Sequence, residues 1–247
     1  MVLDIDPNPI NYFVVDGTLI ADDTRDVNIT ANSIHVRAGN ITAGSAATPF
    51  MHNFVIQING LKTDNGFYID PVIAGNKYMV VTGSLNLFGV APATVSTYLT
   101  KTAFAGDSTL YVAGSSGWAV GDTLVISPSF STYSEYEKLL IKAINSDGSI
   151  VLTAPLVHTH YGSNSVTISN GVGSLDARAR VGHVNRNIQL VPGPDAGWGF
   201  TVNVYGFMDG TILRIGSAQL SGVQFVSGGQ LDTQNPPLNF MNNLQGN

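Results

Sequence analysis

The amino-acid sequence predicts an all-β fold, a parallel or mixed β-solenoid (β-helix) that carries an antiparallel β insertion. Glycines beside turn-forming residues recur about 22 residues apart, at positions 17, 39, 60 and 83. Apolar alternations of strand length lie between them, and no window shows a convincing helical period. This pattern is typical of a solenoid, because single repeats cannot bury their apolar faces and must stack on their neighbours.

The amino-terminal residues 1–13 are predicted to form an extended arm. Pro7 and Pro9 disfavour a helix there. The arm is expected to lie against the first turn of the ladder or to reach a neighbouring molecule. Residues 16–89 then form the ladder, with β-branched residues concentrated where strands are expected.

The rhythm of the sequence changes near residue 99. Short strands separated by Gly/Asp/Ser turns are predicted at 110–112, 123–126, 138–144 and 150–152, and they indicate a compact antiparallel insertion. Residues 134–144 also fit a helical face, but the turn at 145–148 favours a strand. From residue 186 onward, short strands resume about one repeat apart, and no capping unit is recognisable before residue 247.

Composition excludes several classes of protein. Only 11% of the residues are charged, and a net charge of −6 with 11 Lys and Arg predicts no basic face, so nucleic acid is not expected as a partner. The absence of cysteine removes disulfides, thiolate metal sites and cysteine nucleophiles. No apolar run reaches the ~18–20 residues that span a bilayer, so membrane insertion by this chain is not expected. The first six residues do not fit a signal peptide, which was either removed or never present.

Several segments, in order, resemble the G8 domain. Residues 16–22 and 34–41 resemble its opening, and residues 80–89 continue the resemblance. Residues 118–127 are similar to the family's W-x-x-G-D-x-(I/L)-V-I strand. Residues 181–188 resemble the L-x-R-N-I strand with which a parallel β-helix begins after the domain.

This resemblance covers residues 14–247 and implies an organisation and a location. It implies an arm at 1–13, a G8-like β domain at 14–180 and β-helix turns that continue the solenoid at 181–247. The family includes fibrocystin, its homologue, and the cell-migration-inducing and transmembrane hyaluronidases. An extracellular or cell-surface, glycan-associated module is therefore implied, but no single activity, because the family contains both surface proteins and depolymerases.

Two departures from the family pattern weaken an enzymatic interpretation. The animal relatives carry cysteines, and this chain has none. The relatives also have a histidine after the phenylalanine of the segment equivalent to 235–242, where this chain has Met241.

A glycosidase needs two carboxylates about 5–10 Å apart, and the sequence offers few candidate pairs. Glu135 and Glu137 would share one face of a strand, although an exposed polar face explains them more simply. Asp22 and Asp23 are adjacent, which favours a turn. If the chain is a depolymerase, Arg186 and Asp195 border the first β-helix turns and are the residues to test.

Histidines are candidate metal ligands, and tryptophans are candidate residues for stacking on sugar rings. His158 and His160 lack a nearby carboxylate in the sequence and are expected to be solvated residues at a strand end rather than a metal site. The other three histidines, His35, His52 and His183, are expected to be structural. Trp118 is expected in the core and Trp198 at the surface. No cofactor, metal or catalytic residue is predicted.

Two N-glycosylation acceptors, Asn28 and Asn40, each precede Thr at the second following position. Both are expected near corners of the ladder, from which a sugar would project outward.

The leading hypothesis is an extracellular, non-catalytic structural module of a cell-surface or fibrous assembly, glycan-associated and self-associating through open β edges. One alternative is the front portion of an enzyme that depolymerises hyaluronan or another polysaccharide. A second alternative is a glycan-binding module without turnover.

Overall fold

A computed structural model of the chain describes residues 1–69, 72–129, 132–163, 166–167, 173–194, 197–209 and 211–243. Within these ranges the chain consists of β-strands and loops, apart from a 3-10 turn at Tyr133–Glu135. No helix among the described residues has the length and hydrophobicity needed to cross a membrane. The predicted all-β class is confirmed.

The strands fall into two compact units, unit 1 (residues 1–90 and 186–247) and unit 2 (residues 91–185). Unit 1 begins with β1 (Val2–Leu3), β2 (Ile10–Val15), β3 (Thr18–Ala21), β4 (Val27–Val36), β5 (Asn40–Ala43), β6 (Phe54–Ile58), β7 (Phe67–Ile69), β8 (Val72–Gly75), β9 (Tyr78–Val81) and β10 (Ser84–Phe88). Unit 2 contains β11 (Ser96–Tyr98), β12 (Thr109–Leu110), β13 (Thr123–Ile126), β14 (Glu137–Ile144), β15 (Ile150–Leu152), β16 (Val166–Thr167), β17 (Ser174–Leu175) and β18 (Arg180–His183). Unit 1 resumes with β19 (Ile188–Pro192), β20 (Thr201–Asp209), β21 (Ile212–Ile215), β22 (Ser217–Ser221), β23 (Val223–Phe225) and β24 (Leu238–Asn243).

The first sheet of unit 1 has five parallel strands in the order β1-β3-β5-β10-β22. Its register stacks Leu19 on Ile41, Ile41 on Leu85, and Leu85 on Ala218. Because side chains alternate between the two faces of a strand, these residues all lie on one face. Leu19, Ile41 and Leu85 are at most 2% exposed, so this face lines the core.

The second sheet of unit 1 is parallel except where β21 runs against β20. Strand β4 is ten residues long and belongs to two stacks. Its residues 27–31 pair with β6, β6 pairs with β19, and β19 pairs with β23. Its residues 34–36 pair with β9, and β9 pairs with β20. Strands that follow residue 186 therefore lie parallel to strands that precede residue 90.

The apolar faces of these stacks meet in one core. Its fully buried members include Val27, Ile56, Met79, Leu87 and Val202, each with no exposed surface. Burying a side chain of this size contributes about 1.5–3 kcal/mol relative to leaving it in water. Burial alternates along β3, β5, β6 and β10, as the sequence pattern predicted, whereas all four residues of β9 are buried.

Glycine is required where successive turns of unit 1 approach each other at a corner. A Cβ atom on Gly39 would lie 2.1 Å from the Gly17 carbonyl oxygen, and one on Gly83 would lie 2.2 Å from the Gly39 oxygen. Gly60 lies elsewhere, against the Lys77 Cα atom at 2.7 Å. The evenly spaced glycines of the sequence therefore belong to two different corners.

Unit 2 is built on an antiparallel sheet in the order β11-β18-β13-β14-β15-β12. Its core contains Leu99, Leu110, Trp118, Leu124 and Ile150, each at most 7% exposed. The predicted antiparallel segment is confirmed, as is the choice of strand over helix for residues 137–144.

Residues 1–13 lie within the sheets of unit 1, because β1 pairs with β3 and β2 pairs with β4. The first of the two positions expected for the arm is therefore the one observed. The domain division at residues 13 and 180 stays a prediction.

Candidate functional site

The two glycosylation acceptors lie on outward faces of unit 1. Asn28, on β4, is exposed, while the next residue, Ile29, is fully buried. The Asn28 side-chain amide donates to Asp6 Oδ2 at 3.3 Å. Asn40, on β5, is half-buried, and its side-chain amide is 3.5 Å from Thr18 Oγ1. Sugar attachment at either residue stays a prediction.

Glu135 and Glu137 do not form the expected same-face pair. Glu135 lies in the 3-10 turn, and only Glu137 lies on a strand. The Glu137 side chain is 8% exposed, which corrects the expectation of an exposed polar face. Its carboxylate accepts hydrogen bonds from the backbone N–H groups of Val157 and His158 at 2.9 and 2.8 Å.

His160 completes the surroundings of Glu137 and corrects the expectation of a solvated histidine. Its ring is fully buried, with Nε2 3.0 Å from Glu137 Oε1 and Nδ1 2.9 Å from the Ser127 carbonyl oxygen. Both ring nitrogens therefore face oxygen acceptors. Burial raises the pKa of Glu137, but hydrogen bonds from Val157, His158 and His160 together hold it below its ordinary value. The Glu137 carboxylate and both His160 ring nitrogens thus have hydrogen-bond partners within unit 2, as expected of a structural contact.

The W-x-x-G-D segment of unit 2 forms a tight turn. The Ala119 backbone N–H donates to Asp122 Oδ2 at 2.7 Å, and Gly121 has a φ of 92°. His183 Nε2 lies 2.8 Å from the same Asp122 oxygen. Trp118 donates to the Thr94 carbonyl oxygen at 2.6 Å and is 7% exposed, which confirms its predicted core position.

Trp198 is buried, contrary to the expectation of a surface position. It is 8% exposed, and its Nε1 donates to Asn76 Oδ1 at 3.0 Å. The Lys62 ammonium lies 4.7 Å from the centre of its ring. Of the other proposed pair, Arg186 is partly buried, and Asp195 lies outside the described residues.

The remaining histidines have the structural contacts expected of them. His35 accepts at Nδ1 from the Tyr12 hydroxyl and donates from Nε2 to Thr82 Oγ1, both at 3.2 Å, because the Thr82 hydroxyl itself donates to the Arg37 carbonyl. His52 Nδ1 lies 3.1 Å from Asp23 Oδ1. No group of three metal-ligating side chains occurs within the described ranges.

The candidate interaction surface is the open end of unit 1, formed by β22, β23 and β24. Among the described strands, each pairs on one side only, with β10, β19 and β20 respectively. The inward residues Leu220 and Phe225 are only partly buried, whereas Leu87 and Leu190 one layer below are fully buried. Phe240, on β24, is 62% exposed. This end presents both edge backbone and apolar surface.

The opposite end of unit 1 is covered by the amino-terminal residues. The Asp6 carboxylate accepts from the backbone N–H of Asn28 at 2.8 Å, and Arg25 donates to the Asp4 carbonyl oxygen at 2.8 Å. Leu3 and Val15 are 8% and 6% exposed. The amino-terminal residues therefore cover one end of the stack, and among the described residues β22, β23 and β24 form the edge of the other end.

Comparison with known proteins bears on this architecture. Residues 1–100 match the family model described as the G8 domain. The chain is 37% identical to mouse fibrocystin-L and 35% identical to human fibrocystin-L over 183 residues, which are 72% of this chain and 4% of those proteins. It is 26% identical over 226 residues to a G8 domain-containing protein of Dictyostelium discoideum, covering 87% of this chain and 18% of that one. The chain thus spans a small part of the curated relatives that it matches.

Two phage tailspikes are among the solved structures with some likeness to the chain. One is gp61 of Pseudomonas phage phi297, with a TM-score of 0.32 and 10% identity, over 85% of this chain and 28% of that chain. The other is gp54 of Acinetobacter baumannii bacteriophage AP22, with a TM-score of 0.30 and 13% identity, over 93% and 33%. TM-scores this low do not establish a shared fold. The predicted resemblance to the G8 domain is confirmed where the family model matches, over residues 1–100, and the chain is similar to fibrocystin-L over 183 residues.

Proposed function

We propose that the chain is a non-catalytic structural module of an extracellular or cell-surface protein, glycan-associated and able to self-associate. Unit 1 serves as a β-solenoid scaffold, and its open end is the surface of association. The observation that carries the proposal is the difference between the two ends of unit 1, one closed by Asp6 and Arg25 and the other left with edge strands.

The solenoid part of the proposal rests on register. One strand from each successive turn joins each parallel stack, as with β5, β10 and β22 in the first sheet. The same order recurs in the second sheet for β6, β19 and β23. Stacked turns of this kind have contiguous cores that end in two surfaces, and each surface needs either a cap or a partner.

The self-association part rests on edge chemistry. An edge strand offers unpaired N–H and C=O groups that another strand can satisfy. The partly exposed Leu220, Phe225 and Phe240 supply apolar surface that a second copy would remove from water. Pairing between these edges on two copies of the chain is the expected contact.

Association with glycans is supported by the outward face of the first sheet. Register aligns Asn40, Ser84 and Ser217 in one column, and the Ser217 hydroxyl donates to the Ser84 hydroxyl at 2.9 Å. A neighbouring column contains Thr42, Asn86 and Gln219. Regularly spaced hydroxyl and amide groups can exchange hydrogen bonds with sugar hydroxyls.

Light scattering coupled to size-exclusion chromatography tests the association. The wild-type mass is expected to rise with protein concentration, and Phe240→Lys is expected to keep the chain monomeric, since a lysine on an edge opposes strand pairing. Ile20→Lys is the matched control, because Ile20 is 45% exposed on β3 near the closed end. A wild-type chain that stays monomeric at high concentration would remove the association from the proposal.

The depolymerase alternative is tested separately. Incubation with hyaluronan and other polysaccharides, followed by sizing of both protein and sugar, distinguishes binding from cleavage. Retention without a change in polymer length is the expected result, and shortened chains would favour the enzyme.

A further inference from the structure

Two arginines of unit 2 are held against one tyrosine ring. The Arg178 and Arg180 guanidinium carbons lie 4.6 and 5.1 Å from the centre of the Tyr98 ring. Arg180 also donates to the Tyr98 hydroxyl at 3.1 Å. The ring attracts both cations through its quadrupole and orders them without neutralising them.

A third cation lies on a neighbouring tyrosine. The Lys101 ammonium is 3.8 Å from the centre of the Tyr111 ring, and Tyr111 is 37% exposed. The Thr100 N–H donates to the Tyr111 carbonyl and the Ala113 N–H donates to the Tyr98 carbonyl, around the antiparallel bridge between Leu99 and Val112. Tyr98 and Tyr111 therefore belong to adjacent chain segments and project to the same side.

Strand register adds a fourth cation. Lys138 lies opposite Val125, and Val125 lies opposite Gly182, two residues from Arg180 on the same outward face of β18. We define the basic face as Lys101, Lys138, Arg178 and Arg180. It gathers four of the five Lys and Arg residues of unit 2. The sequence predicted no basic face, because these residues are scattered along it.

The basic face retains donors for an external anion. Arg178 is paired with Asp176 at 2.7 Å. Hydrogen bonds from Ser149 lower the pKa of Asp147, and the nearby Lys101 charge lowers it slightly further. Over the part of the chain that the structure describes, no carboxylate lies within 4.0 Å of the Arg180, Lys101 or Lys138 nitrogens. Charge complementarity therefore favours an anionic ligand.

We propose that the basic face binds a sulfated polysaccharide, an inference that rests on the proposed association with glycans. Both guanidinium groups contact one ring, so they are at most about 10 Å apart. Sulfate groups on neighbouring sugars supply several oxyanions over such a distance, and guanidinium and ammonium groups form charge-assisted hydrogen bonds with them. A uronate polymer without sulfate carries only one charge per disaccharide.

Calorimetric titration of the full chain with heparin, and with hyaluronan as the unsulfated polymer, tests the proposal. Heparin is expected to bind, with an affinity that falls as NaCl is raised. Combined Arg180→Gln and Lys101→Gln substitutions are expected to weaken heparin binding about tenfold or more, because two charge-assisted contacts are lost. Lys138→Gln alone is expected to weaken heparin binding less than the double substitution. Because Lys138 is exposed, this variant is expected to fold, and it tests the proposal even if the double variant does not fold.

Arg214→Gln is the control, because Arg214 is an exposed cation on β21 of unit 1 and does not belong to the basic face of unit 2. An equal loss of heparin affinity in this control would overturn the proposal, as would hyaluronan binding as tightly as heparin. No heparin binding while another polysaccharide is retained would reject the basic face and leave the proposed function standing. No binding of any polysaccharide would reject the glycan association itself, while self-association is judged independently by mass.

Discussion

The Asn187 side-chain oxygen accepts a hydrogen bond from the Val90 backbone N–H at 2.7 Å, across 97 positions of sequence. Its amide nitrogen donates to the carbonyl oxygens of Phe50 and His52, both at 2.7 Å. The chain leaves unit 1 after Val90 and returns to it at Arg186. The Asn187 side chain therefore connects these two points to the segment that contains Phe50 and His52. Buried backbone groups left without such a partner are costly.

We predict that Asn187→Ala lowers the free energy of unfolding by about 3 kcal/mol, because three backbone groups lose their partner together. Asn187→Asp is expected to be no better, since an acceptor would then face two carbonyl oxygens. Urea denaturation measures both. Gln219→Ala, at an exposed position of β22, is the control and is expected to change stability by less than about 0.5 kcal/mol. An Asn187→Ala chain as stable as this control would contradict the role assigned to the amide.

Gly39→Ala is expected to cost at least about 2 kcal/mol or to prevent folding, because the new methyl group would meet the Gly17 carbonyl at 2.1 Å. Gly17→Ala is the matched control, since nothing lies within 4 Å of its added Cβ. Thermal unfolding followed by circular dichroism compares the two. Equal losses would mean that the corner is not held by the close approach of the backbones.

His35 is expected to make unit 1 sensitive to mild acid. Burial, and then the Arg37 charge, lower the pKa of His35 from its ordinary value of 6.5. The unfolded chain therefore binds a proton below about pH 6.5 that the folded chain does not, so stability falls as the pH drops through that value. Denaturation at pH 7.5 and 5.5 should show a smaller acid loss for His35→Gln than for wild type. Identical losses would exclude His35 as the source.

Glu137→Gln is expected to destabilise unit 2 by about 3 kcal/mol, because the neutral amide loses the charge-assisted hydrogen bonds that the buried carboxylate makes with the Val157 and His158 backbone N–H groups and with the His160 ring. The pKa of Glu137 is lowered in the folded state, so its contribution is present above about pH 4.5 and disappears as the pH falls further. Glu135→Gln, in the 3-10 turn, is the control and should leave both stability and its pH dependence nearly unchanged. Comparable effects of the two substitutions would argue against the buried pair.

Glycosylation is expected at Asn28 or Asn40 when the chain is secreted from eukaryotic cells. Mass spectrometry before and after removal of N-glycans should show the modification, and Asn28→Gln and Asn40→Gln identify its position. The exposed Asn28 is expected to be modified more completely than the half-buried Asn40. A secreted chain with the unmodified mass would show that neither Asn28 nor Asn40 is glycosylated.

Strand positions were predictable because alternation of apolar and polar residues reflects the two faces of a strand directly. Ile41 and Leu85 show this, as does the strand chosen for residues 137–144. Side-chain partners were not predictable in the same way. Trp198 lies between two glycines, a position that favours exposure, but its indole N–H donates to Asn76 Oδ1, which is 122 positions away in the sequence.

By itself, the sequence determined that the chain is all-β, that turns recur about every 22 residues and that residues 14–180 resemble a G8 domain, because local periodicity, turn residues and short motifs depend on neighbouring residues. Only the tertiary structure decided which strands stack, that Glu137 meets His160, that the amino-terminal residues cover one end of unit 1, and that Arg178 and Arg180 both contact the Tyr98 ring. Contacts such as that between Ser84 and Ser217 join residues far apart in the sequence, and strand pairing brings them within reach.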